Sequence, residues 1–480
     1  MPEIKREQWS HHFGKWFRHV LMDAEIMDYR YPIKGMAVWL PYGFKIRRNL
    51  LKLIRDLLDG TGHNEMLFPL LIPETSIAKE SEHIKRLESE MFWVTKAGLT
   101  PLKINFALRP TSETAIAPML KLWIRSHADL PKKMYQIVNT FRYETRATRP
   151  LIRMREVDNF KEAHTAHATA AEAEAQVQEG LEVYKKFFDT LGVPYKMSKR
   201  PEWDKFAGAM YSIAFDYIAP DGRTIQVGTV HNLGQNFSKA FDVTYETEKG
   251  TREHIWQTCY GISGRPLVAM LAAHGDDSGA VMPPTVAPIQ VVIIPIPYKG
   301  MEKEIDNSCQ AIASKLKAAG FRVEIDGRGD LTPGSKYYHW ELRGVPIRIE
   351  LGPRDLKQDQ VTIVRRDTFE KQVCKTTDTE HVVKKIIDAM LVDMKQKAGQ
   401  WMNEHVHRVD SLEEAKRLLK RRAGIVEVAW CGRDECGHKL EEDVQASVLG
   451  TPEDLKGKVK GNCVVCGRKA ESILRAAISY

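Results

Sequence analysis

The sequence lacks the features that would place it in a membrane or outside the cell. It has no run of about 18 consecutive apolar residues, the length that a membrane-spanning helix needs. Its first residues, MPEIKREQWSHHF, carry charges and no apolar core, unlike a secretory signal. Cysteine is scarce, with 7 in 480 residues, and their spacing does not indicate a disulfide framework. We therefore expect a cytoplasmic protein with no membrane segment.

A strong charge of one sign is also lacking. The sequence has 71 lysines and arginines against 63 acidic residues, which gives a formal net charge of +8. This mild excess permits a polyanionic partner without requiring one. Hydrophobic residues at 43% and charged residues at 28% are ordinary values for a globular protein. A chain of 480 residues suits two or three domains.

Apolar periodicity predicts helices and an antiparallel sheet in the first region, residues 1–280. Residues 43–58 place leucines and isoleucines on one helical face, which Gly60 and Gly62 end. Residues 169–191 predict a second amphipathic helix. Strand-like runs separated by polar turns occur at 213–218, 223–230 and 240–245.

Two further regions follow a change in composition. Residues 275–288 are rich in glycine, proline and small residues, which predicts a linker. The uncharged run at 291–295 then begins an alternation of strands and helices, typical of a small α/β domain at 281–390. A charged helical stretch near 380–398 leads to a third module at 391–480. Residues 471–478, near the end of this third module, predict a helix.

An arginine-rich stretch carries the strongest chemical signal. The run Phe-Arg-Tyr-Glu at 141–144 predicts the end of one strand, a basic turn at 146–149 follows, and a second strand carries Arg153. Two strands that leave one turn can direct Arg142 and Arg153 at the same ligand. Guanidinium groups bind phosphate and carboxylate in bidentate fashion. The plain alternative is a solvated basic hairpin.

Four other runs accompany this stretch: Arg-Pro-Thr-Ser-Glu at 109–113, Phe-Lys-Glu-Ala-His at 160–164, His-Asn-Leu-Gly-Gln-Asn-Phe-Ser-Lys at 231–239, and Gly-Ile-Ser-Gly-Arg at 261–265. Their order resembles the signature motifs of class II aminoacyl-tRNA synthetases. The first three look specifically like prolyl-tRNA synthetases of the archaeal/eukaryotic type, over nearly the whole chain. The resemblance implies an α+β catalytic domain with an antiparallel sheet and flanking helices, an α/β anticodon-binding domain and a small C-terminal α/β zinc module.

The resemblance also implies the substrates, namely L-proline, ATP with Mg²⁺ and tRNA(Pro), and a homodimer built on the helix at 43–58 and the strand ending at Pro69. Amino-acid activation mainly needs two anions held together while charge develops, so arginines are the expected catalytic groups, here Arg142 and Arg265. The implied ATP-binding residues are Arg142, Glu144, Arg153, Gln226, Thr229 and Arg265.

Proline needs acceptors for its ammonium group and a flat apolar wall. The residues that the resemblance implies for this pocket are Thr111, Glu113, Arg142, Phe160, Glu162, His164, His231 and Ser263. Taken alone, Phe160 would be a core residue and His164 a satisfied buried histidine. The segment from Arg153 to Glu162 is one residue longer than in the family and has Phe160 in place of tryptophan, which leaves the adenine-stacking residue open.

The cysteines near the end of the chain predict a metal site. Cys431 and Cys436 are spaced C-x4-C, and Cys463 and Cys466 are spaced C-x2-C. Four thiolates suit tetrahedral zinc in a closed, structural site, and reduced free thiols are the alternative. The other three cysteines, Cys259, Cys309 and Cys374, are expected to be small core residues.

The resemblance assigns anticodon reading to Glu341 and Arg348, on a segment similar to the family's anticodon-reading strand; a solvated strand face is the alternative. It also suggests that the carboxylate of Tyr480 reaches toward the catalytic domain, where local packing of a helix end is the alternative.

Three other functions compete with this interpretation. A purely zinc-dependent RNA-binding module would not need residues 60–275. A class II synthetase for another small amino acid would alter Thr111, Glu113, Phe160 and His164. A non-catalytic RNA-binding paralogue would lose Arg142 or Arg265, and this chain keeps both.

Overall fold

A computed structural model of the chain describes residues 8–78, 88–455 and 459–480. Its main element, within those residues, is a sheet of 11 strands. In spatial order these strands are Val406–Arg408, Ile425–Trp430, Ser472–Ala477, Ser447–Pro452, Lys196–Lys199, Tyr211–Ile218, Thr224–Gly234, Trp256–Ile262, Glu156–His167, Lys132–Phe141 and Asn64–Glu65.

The strands from Lys196–Lys199 to Lys132–Phe141 are antiparallel throughout, which confirms the predicted α+β class. The runs predicted at 213–218 and 223–230 are strands here. The run predicted at 240–245 is wrong for its first half, because the helix Asn236–Ala240 extends to residue 240 and only Thr244–Glu246 is a strand. The helices of this region are Phe13–Asp23, Pro41–Asp59, Glu74–Ile77, Glu113–Trp123, Ala170–Leu191, Asn236–Ala240 and Arg265–His274.

The two amphipathic helices predicted from the sequence cover the same face of this sheet. Pro41–Asp59 starts with proline at its first position and buries Ile46, Leu50, Ile54 and Leu58 in the main core. Ala170–Leu191 is capped by the Thr169 hydroxyl, which accepts from the Glu172 amide. Because both helices lie behind the sheet, its other face is free to form a site.

Three smaller sheets complete the described part of the first region. Met27–Asp28 pairs with Val38–Trp39, and Thr244–Glu246 pairs with Arg252–His254. A three-stranded sheet has the order Leu71–Pro73, Thr100–Leu108, Trp93–Ala97. Short 3-10 helices lie at Glu88–Glu90, His127–Asp129 and Thr376–Asp378.

The second region is a mixed α/β unit, as predicted. Its five strands lie in the order Val323–Ile325, Val291–Pro295, Ile347–Leu351, Gln360–Arg365 and Lys371–Lys375. The first three are parallel, and Val291–Pro295 between them is buried on both faces, which explains its uncharged sequence. The helices are Glu302–Ala318, Pro333–Arg343, Pro353–Lys357 and Thr379–Glu404.

The segment 275–288 is irregular and joins the first region to the second, as a linker does, but it is packed firmly against the second region. Arg366 donates two hydrogen bonds to the carboxylate of Asp276, at 2.6 and 2.7 Å. A Cβ at Gly279, whose φ is +129°, would lie 2.7 Å from the Cα of Leu342, so only glycine fits this close approach. The small residues of this segment therefore serve tight packing against the helix Pro333–Arg343.

The C-terminal module continues the large sheet. Thr451 and Pro452 pair with Lys199 and Ser198, so its strands are hydrogen-bonded to those of the first region. Its helices are Leu412–Lys420 and Asp434–Val444. The helix predicted at 471–478 is wrong: Ser472–Ala477 is a strand buried on both faces between two partners. Tertiary burial there overrides the helical propensity of leucine, arginine and alanine.

Among the residues that the structure describes, none of the helices combines the length and the apolar character that a membrane span requires.

Arg475 lies at the junction between the module and the first region, and its side chain is fully buried. Its Nε donates to Glu427 at 2.9 Å, and its Nη1 lies 2.7 Å from Asp454 and donates to the carbonyl of Met197 at 2.9 Å. One guanidinium thus joins two carboxylates of the module to the strand Lys196–Lys199.

We expect Arg475→Met to lower the free energy of unfolding by about 3–5 kcal/mol, because it leaves the buried carboxylate of Glu427 without its cation. Thermal and urea unfolding would measure this loss. Arg417→Met is the matched control, since Arg417 pairs with Glu414 on the surface at 60% side-chain exposure and should contribute less than about 1 kcal/mol. Equal melting temperatures for the two variants would contradict the prediction.

Candidate active site

One cavity of about 290 Å³ opens on the face of the antiparallel strands that the two helices leave uncovered. It collects all but one of the residues implied for proline and ATP. Those that line it are Thr111, Glu113, Arg142, Glu144, Arg153, Phe160, Glu162, Gln226, Thr229, His231, Ser263 and Arg265. His164 is the exception: it is buried behind Glu113, with its Nε2 4.0 Å from the carboxylate.

One end of the cavity holds two buried carboxylates. Glu113 begins the helix Glu113–Trp123, and the Thr111 hydroxyl donates a hydrogen bond to it. Glu162 projects from the strand Glu156–His167, and its Oε2 lies 3.5 Å from the amide nitrogen of Gln136. Burial and the nearby charge of Glu113 raise the pKa of Glu162 to about 7. This end of the cavity therefore suits a cationic group.

His164 and Cys259 lie directly opposite each other on neighbouring strands, beneath these carboxylates. The Cys259 thiol donates to Glu113 Oε1 at 3.4 Å, and its sulphur lies 3.7 Å from His164 Nε2. Burial lowers the pKa of His164. Burial, followed by the charge of Glu113, raises the pKa of Cys259, so the thiol is protonated at neutral pH.

Aromatic rings form the walls. Phe160 packs closely over Gly261, where an added Cβ would lie 3.1 Å from the ring. His231 packs against Phe206 with ring centroids 4.8 Å apart and ring planes tilted by 34°, and its Nδ1 lies 2.7 Å from the hydroxyl of Ser212. These contacts fix both rings and leave a flat apolar surface beside the carboxylates.

The other end of the cavity is cationic. Arg142 follows the strand Lys132–Phe141 directly, and its Nε donates to the carbonyl of Pro110 at 3.1 Å. Arg265 begins the helix Arg265–His274, and its Nε donates to Ile152 at 2.9 Å. Burial lowers the pKa of Arg265 to about 10, which still leaves it charged at neutral pH.

Arg153 reaches the cavity from a turn, which corrects its predicted place on the second strand. That strand begins at Glu156, whereas Arg153 forms an isolated bridge with Arg149. Leu151 between them has a φ of +59°, so the chain bends tightly instead of extending. The Arg153 Nε still lies 3.8 Å from Glu144, and both side chains line the cavity.

Sequence reasoning missed several cavity residues, of which Arg200 is the best connected. Its guanidinium donates to Asp216 at 2.8 Å, to Gln226 Oε1 at 2.9 Å and to the carbonyl of Leu449 at 2.7 Å. Arg200 directly follows the strand Lys196–Lys199 and has no motif around it, so only the fold reveals it. Cys259 is buried, as a small core residue should be, but its contact with Glu113 was not foreseen.

Tyr480 contacts the rim of the cavity. Arg153 Nη2 donates to its main-chain oxygen at 3.0 Å, and the phenol donates to Asp221 at 2.7 Å. The guanidinium carbons of Arg223 and Arg149 lie 3.8 and 4.8 Å from the centre of its ring. The last residue therefore lies against arginines of the first region and does not end a locally packed helix.

The four cysteines of the C-terminal module converge as their spacing predicts. The sulphurs of Cys431, Cys436, Cys463 and Cys466 all lie within 4.8 Å of one another. Three of these residues are buried and Cys466 is exposed. The set fits a tetrahedral zinc ion.

Glu341 and Arg348 form an ion pair in the second region. Arg348 Nη1 donates to Glu341 Oε1 at 2.7 Å, and its Nε donates to Glu350 at 2.9 Å. The two residues do not share a strand, because Glu341 belongs to the helix Pro333–Arg343 and Arg348 to the strand Ile347–Leu351. Arg348 is buried and lies over the ring of Tyr337, so it is not on a solvated strand face.

Comparison with known proteins identifies three consecutive families in the chain. Residues 92–274 match the class II core domain of tRNA synthetases (G, H, P, S and T). Residues 290–387 match an anticodon-binding domain, and residues 412–480 match the C-terminal domain of prolyl-tRNA synthetase.

Whole-chain relatives agree with these matches. The chain is 54% identical to a proline–tRNA ligase of Metallosphaera sedula over 100% of both chains. It is 51% identical to one of Thermococcus kodakarensis over 99% of this chain and 100% of the relative. It also resembles the structure of Giardia lamblia prolyl-tRNA synthetase in complex with prolyl-adenylate, at 38% identity and a TM-score of 0.96, over 99% and 100% of the two chains. By its cavity, its domains and these relatives, the chain belongs to the prolyl-tRNA synthetases of class II.

Proposed function

We propose that this chain is a proline–tRNA ligase that activates L-proline with ATP and transfers it to the 3' end of tRNA(Pro). One observation supports this most directly: a single cavity holds two buried carboxylates at one end and Arg142 and Arg265 at the other. Proline presents an ammonium and a carboxylate, and ATP brings its phosphates to that carboxylate. The cavity therefore matches the charges of both substrates, in a chain whose relatives are proline–tRNA ligases.

The carboxyl end of proline and the α-phosphate meet at the cationic end. A carboxylate oxygen of proline attacks the α-phosphorus, the bond to the bridging oxygen breaks, and pyrophosphate leaves as prolyl-adenylate forms. Arg142 holds the two anions together, and Arg265 and Arg153 bind nucleotide phosphates. In the second step a terminal ribose hydroxyl of tRNA attacks the prolyl carbonyl and AMP leaves.

The ammonium end is bound by the carboxylates. Thr111 holds Glu113 in place, and Glu162 supplies the second negative charge. Phe160 and His231 flank the apolar ring, Ser263 completes the wall, and His164 supports Glu113 from behind. Gln226 and Thr229 face the nucleotide. Glu144 provides an oxygen ligand near the phosphates, which suits Mg²⁺ because it is usually held by one or two carboxylates and the phosphates themselves.

The two other regions are proposed to bind tRNA and zinc. We assign residues 1–280 to catalysis, 281–390 to anticodon binding and 391–480 to the zinc module. Arg348 is oriented by Glu341 and Glu350 and so presents fixed donors for base edges. Zinc in the four-cysteine set would be structural, since four thiolates leave no coordination position open.

A homodimer is proposed from the surface around Pro69. Leu67, Leu70 and Leu71 are exposed there, with Leu67 at 80%, beside an open groove lined by Arg109 and Val138. Exposed apolar side chains that lie close together are typical of protein–protein interfaces. The apolar face of the helix Pro41–Asp59 is buried in the core of the chain, so the exposed residues that follow this helix are better candidates for the dimer interface.

The tRNA substrate and the reduced thiols of the zinc set fit a cytoplasmic location.

We expect proline to give the strongest ATP–pyrophosphate exchange among the twenty amino acids. Arg142→Ala should reduce this exchange by about 10²–10³, because it removes a preorganised charge from the reacting anions. Arg417→Ala, a substitution at an exposed residue of the C-terminal module, is the control for general effects of mutation and purification on the folded protein. Stronger exchange with another amino acid would refute the assignment, and near-normal exchange by Arg142→Ala would refute the role of that arginine.

We expect kcat/KM for proline in the exchange assay to rise from about pH 6 to about pH 8. The pKa of Glu162 is raised, so its carboxylate is neutral below that value and gains the charge that binds the ammonium group above it. Glu162→Gln should have a lower kcat/KM with no rise in this range. Glu182→Gln, on an exposed helix face, is the matched control. A profile unchanged by Glu162→Gln would contradict the proposal.

We expect one tightly held zinc per chain. Replacing Cys463 and Cys466 by serine should remove it and lower the melting temperature, because metal binding contributes directly to folding of such sites. Elemental analysis and calorimetry measure both effects, and Cys309→Ser, at a buried thiol outside the set, should keep the zinc. Loss of zinc without a change in melting temperature would show that the site is not structural.

A further inference from the structure

The side chains of Glu113, His164 and Cys259 form a second cluster of metal-ligating groups, which we call the floor triad. Each offers one ligand atom, and the three atoms lie within 4.8 Å of one another. All three residues are buried. They come from a helix start and two neighbouring strands, so their positions are fixed by the fold and not by a flexible loop.

The separations of the three ligand atoms fit a single zinc ion. They are 3.4 Å from sulphur to oxygen, 3.7 Å from sulphur to nitrogen and 4.0 Å from nitrogen to oxygen. Tetrahedral zinc, with bonds of about 2.3 Å to sulphur and about 2.0–2.2 Å to nitrogen and oxygen, places such pairs about 3.4–3.6 Å apart. Shifts of a few tenths of an ångström would therefore complete three corners of the tetrahedron.

The surroundings of the floor triad favour a divalent cation. The Thr111 hydroxyl holds the other oxygen of Glu113, which orients the carboxylate as outer-shell partners of metal ligands do. Glu162, two residues from His164 on the same face of its strand, adds a second buried carboxylate. Glu113 and Cys259 line the cavity, so an ion can reach them from it and keep its fourth position on the cavity side.

We propose that the floor triad binds Zn²⁺ and that the bound ion excludes the amino-acid substrate from the cavity. The exclusion rests on the proposed function, because Glu113 is there a ligand of the proline ammonium group. A carboxylate oxygen that coordinates the metal is no longer available to that group, and the two cations would repel each other. The Cys259 thiol releases its proton to solvent when the metal binds, because a cysteine ligates a metal as the thiolate. The resulting thiolate and the His164 imidazole select Zn²⁺ over the Mg²⁺ that accompanies ATP.

The first test uses Co²⁺ as the probe on the full-length protein with its four-cysteine zinc in place. We expect one added equivalent to give a thiolate-to-cobalt charge-transfer band and the visible bands of tetrahedral cobalt. Cys259→Ser should weaken cobalt binding by about tenfold or more, because it removes the soft ligand. Cys309→Ser should leave the bands unchanged. Zinc content measured before and after shows whether cobalt has entered the four-cysteine site.

Absence of the bands in the unmodified protein would overturn the proposal, as would bands that persist at full strength in Cys259→Ser. The latter result would place the cobalt in the four-cysteine site.

The second test uses the unmodified protein alone, so it does not depend on the folding of a variant. L-proline should displace cobalt, and the apparent dissociation constant for cobalt should rise in proportion to proline concentration, whereas L-leucine should have no effect. Cobalt that proline does not displace would overturn the proposal. Pyrophosphate exchange without added metal tests the proposed function separately, so that a failure of ligase activity is distinguished from a failure of the metal site.

Discussion

The register of the antiparallel strands is the constraint on which the site depends. Because side chains alternate along a strand, the pairing of Glu162 with Gly261 and of His164 with Cys259 fixes what faces the cavity. The residues next to them along the strand face the other way: Lys161, which precedes Glu162, is buried behind the sheet, where it donates to the hydroxyl of Tyr184. A slip of one residue would put this lysine in the cavity and the carboxylate among the aromatic rings of the core.

The cavity groups the carboxylates of Glu113 and Glu162 in one part and several arginines, with Glu144 among them, in another. Arg142 and Arg265 donate to backbone carbonyls, which orient each guanidinium without neutralising it. Glu113 is likewise held by a hydroxyl. A zwitterionic substrate can therefore bind with its ammonium group at the carboxylates and its carboxylate at the arginines. Such preorganised charges need no rearrangement as the reaction proceeds.

Local chemistry determined which parts could be predicted from the sequence. The arginine motif, the paired cysteines and the helix at 170–191 each have a pattern set by neighbouring residues, and the structure forms them as predicted. The sequence of the strand Ser472–Ala477 predicts a helix, because the partner strands are distant in sequence and burial of both faces removes the alternation of polar and apolar residues that marks a strand. The sequence does not predict Arg200 as a site residue for the same reason: its contacts, such as the carbonyl of Leu449, come from residues that are distant in sequence.

The joining of the large sheet has a consequence for the growing chain. The strand Lys196–Lys199 pairs on one side with Tyr211–Ile218 and on the other with Ser447–Pro452, which is synthesised about 250 residues later. Domains generally fold in order of synthesis, so this edge stays without its second partner while the whole second region is made. An unpaired edge is a template for pairing with another chain. The C-terminal module thus protects that edge strand by pairing with it. Of the three regions, this module is synthesised last, so the edge is protected only at that stage.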